Sequence, residues 1–202
     1  MVRQSLPVRL VKIVIRYAYN FTASEAGWFA CVIGASKGLP WVGPLVVIAF
    51  LSIHLRIVKR PKTEVRLIFS AVALGLLMDS LLVGSGWVSY PNGTWLTGFA
   101  PYWILAMWAI FATTLNTCMV WMRGRLVLAA SLGAVFGPLA YLAGEEFGAI
   151  TFHARVPAML ALGVIWAASM PLLVALAARW DVPDHTNRPV YIQDDWKVPP
   201  HA

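Results

Sequence analysis

One carboxylate, Asp79, stands inside a stretch apolar and long enough to cross a bilayer, and that pairing narrows the possible folds sharply. Leu67 to Trp87 supplies about 20 mostly apolar residues, which at roughly 1.5 Å of helical rise each cover a hydrocarbon core of about 30 Å. Asp79 adds about 2.5 to 3.5 kcal/mol to the cost of insertion, whereas each Leu, Ile, Phe or Val returns about 0.3 to 0.6 kcal/mol. The span still inserts. Ala71 and Gly75 precede the acid on its own helix face and Gly86 follows it, so a second helix can approach closely and Asp79 is predicted to face protein rather than lipid.

The rest of the chain agrees with a membrane setting. It is 59% hydrophobic and 12% charged, which excludes an ordinary soluble domain. Its net charge of +7 is not gathered into an aromatic-lined groove, and no nucleic-acid partner is expected. The cations sit instead at the ends of apolar runs. Arg56, Lys59, Arg60, Lys62 and Arg66 surround the connection after the second run, Arg123 and Arg125 follow the fourth, and Arg179 closes the sixth. Only Lys37 and Arg155 fall on the other side, a bias that places both termini in the cytoplasm. Trp41, Trp87, Trp95 and Trp103 are predicted to line the outer interface, and Trp121 and Trp180 the inner one.

The predicted fold is therefore an all-α membrane-spanning bundle of about six transmembrane helices. The spans are read at residues 17–35, 41–58, the stretch around Asp79, 101–122, 126–144 and 157–178. Residues 1–16 form a basic cytoplasmic or interfacial segment, in which Arg9, Lys12 and Arg16 recur at helical spacing; it either lies on the membrane surface or simply begins the first span. Residues 17–180 make the six-helix domain, and 181–202 a polar, Pro-rich tail expected to be flexible. No cleaved signal peptide is read at the start.

Small residues predict the helix contacts. Ala129, Gly133, Gly137, Tyr141 and Glu145 recur every fourth residue, with Pro138 beside them, and Gly163, Ala167, Pro171 and Ala175 offer a matching stripe on the last span. Gly75 is the corresponding close-approach point on the third.

Besides Asp79, the candidate buried polar site comprises Glu25, His54, Asn116 and Tyr141. Counted along helices from the nearest basic residues, Glu25, His54 and Asn116 lie about five to nine residues deep in the cytoplasmic half, and Asp79 about thirteen, past the middle. Glu25 with His54 forms a proton relay, an anchoring pair for a substrate, or two groups that satisfy one another. Asn116, beside Thr113, reads as interhelical glue, and Tyr141 as the cap of a packing ridge. No GxSxG, HExxH, CxxC, P-loop or GxGxxG pattern occurs, so no cofactor, no metal and no catalytic residue is assigned.

Several stretches together resemble a family of small bacterial inner-membrane proteins known as a domain of unknown function. They are Gly27 to Ala35, Pro40-Trp41, His54-Leu55, Gly75 to Leu82, Ser89-Tyr90-Pro91, Pro101-Tyr102-Trp103, Phe111 to Asn116 and Gly137 to Tyr141. Glu25 departs from the pattern, where Gln is expected. The resemblance implies a multi-pass protein of the bacterial cytoplasmic membrane, with membrane lipids as partners. It also implies genes neighbouring those of methyltransferases that resemble cyclopropane-fatty-acid synthases and of flavin oxidoreductases. Three functions follow as expectations: an accessory or scaffold subunit for membrane-lipid or fatty-acyl modification that docks a soluble lipid-modifying enzyme at its cytoplasmic face; a small proton-coupled transporter or flippase using Asp79; and an intramembrane lipid-modifying enzyme.

Overall fold

The computed structural model describes residues 6–181, and six α-helices occupy the six expected stretches. They are α1 (Leu6–Ser36), α2 (Val42–Ile57), α3 (Pro61–Gly84), α4 (Tyr102–Leu115), α5 (Leu126–Glu146) and α6 (Arg155–Trp180). Helix α1 passes through residue 16 without a break; the side chains of Arg9 and Lys12, and the expected tail beyond Asp181, lie outside the described residues. Three helices, α3, α5 and α6, are long and apolar enough to cross a membrane, and α2 and α4 are shorter apolar helices. Their outward faces are apolar too: Phe69, Val127, Val156, Leu160 and Val164 are all largely exposed. A protein folded in water would bury such residues, whereas lipid solvates them.

The fourth helix departs from its predicted length. It ends at Leu115 rather than near Met122, and the chain continues through turns and a short 3-10 segment, Val120–Met122. Its own side chains explain the early stop. Thr113 and Thr114 donate back to the carbonyls of Ile110 and Phe111, and Thr117 to that of Thr113, which offers the backbone partners other than the next helical turn.

Helix α4 is the axle of the bundle, with α1, α2 and α3 packed around it; α6 lies against α3, and α5 packs along α6. The predicted α5–α6 contact is present, although α6 is rotated from the expected face. Gly133 rests on the backbone carbonyl of Trp166, and a Cβ at Gly137 would overlap the Trp166 indole, while Ala175 is exposed and Pro171 only half-buried. Gly163 does join the seam, lying against the Ala134 carbonyl that Pro138, having no N–H, leaves without its helical donor.

The connections segregate into two ends. Asn92 donates its side-chain amide to the Ala35 carbonyl at 2.9 Å, tying the 85–101 loop to the end of α1. That loop also pairs with the 147–154 turn through a two-residue antiparallel ribbon, β1 (Val88–Ser89) with β2 (Thr151–Phe152). The opposite end carries the α2–α3 connection and the 116–125 segment, where Arg123 and Arg60 both reach Asp181. Here stand Arg56, Lys59, Arg60, Lys62, Arg66, Arg123, Arg125 and Arg179, which make this the basic end of the bundle. Trp103 is not in an aromatic belt: it is fully buried and donates its indole N–H to the Asn92 carbonyl.

Candidate functional site

Asp79 is completely buried and points into protein, as the small residues on its helix face predict. Its partners are neutral donors. Tyr90 and Tyr141 donate their hydroxyls to Oδ1 at 2.7 and 2.6 Å, and Trp108 donates its indole N–H to Oδ2 at 2.9 Å. One acid thereby fastens α3, α4, α5 and the 85–101 loop at a single point. Asp79 and Tyr141 each lie about five residues from the same end of their helices, which puts them level. Trp108 reaches the acid across Gly75, where any Cβ would overlap its indole.

Behind Trp108 the knot continues as a stack. Trp166 of α6 lies parallel to Trp108 with ring centroids 4.7 Å apart and planes 9° off, and Phe111 meets Trp166 edge-on. The far face of Trp166 rests on Gly137, so two indoles are sandwiched between glycines on α3 and α5. The buried Trp166 Nε1 makes no hydrogen bond of good geometry, although it lies beside the Tyr141 hydroxyl.

A second polar group occupies the basic end. His54 Nε2 and Glu64 Oε2 are 3.2 Å apart and both residues are buried. Glu64 Oε1 accepts from the Asn116 amide at 3.0 Å, Asn116 Oδ1 accepts from Arg123 at 2.6 Å, and Arg123 also binds Asp181 at 2.9 Å. The predicted Glu25–His54 pair is therefore not formed. Glu25 is exposed on α1, and the group facing His54 is Glu64. Asn116 does join helices, but through Glu64 and Arg123. The α1–α4 seam uses Asn20 instead, bonded to Thr113 and Thr117 at 3.3 and 2.5 Å. The five candidates thus fall into two separate sites and one exposed position.

Sequence reading passed over Glu64, Trp108, Trp166 and Arg123. Glu64 had a usable signal: it and His54 flank a short turn at similar distances, which sets them level on antiparallel helices. Nothing local marks Trp108 or Trp166, because an indole reaching across a neighbouring helix leaves no periodic trace.

Between α1 and α4 on one side and α5 on the other lies a cleft of about 610 Å³. This is within the range of roughly 300–1,000 Å³ usual for small-molecule sites. Trp166 and Met170 of α6 form its floor, with Trp108 and Tyr141 presenting the near side of the Asp79 knot. Phe21, Trp121 and Phe136 flank the mouth, 61%, 52% and 62% exposed. Toward the end opposite the basic one, Trp28 and Phe29 of α1 meet Phe147 edge-on, each with centroids 6.1 Å from it, and bridge α1 to α5. Tyr141 and Cys118 are the only titratable side chains on the wall among the described residues; Asp79 stands behind it.

A helical bundle with an apolar exterior, helices that can span a bilayer and its acid sealed inside is a protein of the membrane type. The chain belongs to the DUF2878 family, described as a protein of unknown function, whose model matches residues 17–172. No curated protein and no solved structure matches it.

Proposed function

We propose that this chain is a multi-pass protein of the bacterial cytoplasmic membrane that receives a lipid acyl chain in the cleft between α1 and α5. In this reading it serves membrane-lipid or fatty-acyl modification as an accessory subunit, with its basic end toward the cytoplasm, where a soluble enzyme docks. The observation that carries the reading is the cleft: apolar on every wall, with a mouth flanked by exposed aromatic side chains rather than by charge. Such a slot is empty of reason in water but matches an acyl chain in shape and polarity. Catalysis within the bilayer has less support, since no carboxylate, His, Lys or Arg lines the wall among the described residues. Proton-coupled transport through Asp79 likewise has less, because both of its oxygens are occupied and it has no exposed surface.

The test is lipid content. Full-length protein purified in mild detergent should retain phospholipid, and Ala140→Trp, which fills the cleft from its α5 wall, should lose most of it while keeping its helix content. Equal retention by the two proteins would refute the reading.

A further inference from the structure

The two ends of the cleft differ, and the difference selects a ligand. On α1 it runs from Phe21 to Val32, about eleven residues or roughly 16 Å, so it lies along the helices as a slot. At one end the Trp28–Phe29–Phe147 cluster joins its walls. At the other, the wall is made by Cys118, Met119, Trp121 and Met122. Arg125 follows one tight turn later, its N–H bonded to the Met122 carbonyl. Cys118 contacts the carbonyl of Tyr17, which brings the turn of α1 holding Arg16 to the same end. Arg16 and Arg123 each bury an Nε atom with no hydrogen-bond partner among the described residues. Arg123 is engaged through its Nη2 by Asn116 and Asp181, whereas Arg16 has no hydrogen bond or ion pair among the described residues.

We infer that the slot takes one acyl chain of an anionic phospholipid, with its phosphate at the Arg16 and Arg125 end and its methyl end against Trp28 and Ile150. This deepens the acyl-chain reading of the cleft and rests on it. The charge at the open end is complementary to a phosphodiester, which arginine binds through paired N–H groups. The methyl end meets only apolar and aromatic side chains. A lateral mouth leaves the second chain in the bilayer while the first is held, which favours a two-chain phospholipid over a free fatty acid.

Native mass spectrometry of the full chain, released from mixed micelles containing equal phosphatidylglycerol and phosphatidylcholine, tests this. The wild-type protein should retain phosphatidylglycerol about tenfold over phosphatidylcholine: both carry the phosphodiester, but choline adds a cation that offsets its charge and is repelled by the two arginines. Arg16→Gln with Arg125→Gln should abolish the preference, and Lys37→Gln at the other end should preserve it. If the double variant fails to fold, Arg125→Gln alone decides, because Arg125 is exposed. It must lower the preference. Equal retention of both lipids by wild type, together with their loss from Ala140→Trp, would overturn the headgroup assignment and leave the cleft reading standing. Retention unchanged in Ala140→Trp would overturn both. Displacement of phosphatidylglycerol by equimolar oleate would overturn the choice of a phospholipid.

Discussion

Asp79 accepts from three donors of three separate segments, and the balance of energies at that carboxylate governs much of the bundle. A buried acid without partners would cost several kcal/mol, whereas hydrogen bonds to a charged group return about 1.5 to 3 kcal/mol each. Substitution by Asn keeps an oxygen for Tyr90 and Tyr141 but sets an amide N–H against the Trp108 N–H. Asp79→Asn should therefore lower stability by about 1 to 3 kcal/mol, and by clearly less in a Trp108→Phe background, where the opposing donor is gone. Thermal denaturation of the four proteins of that cycle in one detergent reads the coupling directly. Additive losses would mean that Asp79 and Trp108 do not share the bond described. The position of Asp79 was legible in the chain, since an acid flanked by Ala71 and Gly75 must face a neighbour. Of its partners only Tyr141 stood among the candidates; Tyr90 and Trp108 did not, because neutral donors from separate segments carry no charge pattern to betray them. Glu25 shows the converse: an acid at a promising depth that the rotation of α1 turns outward.

At the scale of elements, helices α3 and α5 approach the core only where glycine permits an indole to lie on the backbone. A side chain at Gly75 or Gly137 would have to displace Trp108 or Trp166, which stack on one another. Overpacking of this kind ordinarily costs about 1 to 3 kcal/mol and here meets rigid rings. Gly137→Leu should reduce the yield of folded protein sharply, and Trp166→Ala introduced with it should restore much of the loss. Size-exclusion profiles of the two variants check this; failure of the second change to rescue the first would place the clash elsewhere. The small-residue stripe of α5 was readable as a contact because its period of four is intrinsic to a helix. Which face of α6 met it was not. The sequence stripe on α6 marks its small residues, whereas the observed seam is made by Trp166 and Met170 filling the space that Gly133 and Gly137 leave. Likewise α4 ends early because its own threonines compete for the backbone, a local effect that hydropathy over a long window averages away.

Across the whole molecule, two polar clusters stand toward opposite ends and an apolar slot runs beside one of them. The Asp79 knot fixes α3, α4 and α5, and the His54–Glu64–Asn116–Arg123 chain fixes α2, α3 and the segment after α4. Between these anchors α5 packs on α6 alone along most of its length, which is what leaves the slot open against α1. The cleft could not be read from the chain, since it is made by a space between helices rather than by any motif. From it follows the proposal that a bilayer lipid chain completes the packing of this bundle. An electron-microscopy map of the protein in a lipid nanodisc tests it most directly. A tube of acyl-chain density should lie between α1 and α5, from the level of Trp121 to that of Trp28. A map in which α5 has closed onto α1 with no density between them would contradict it.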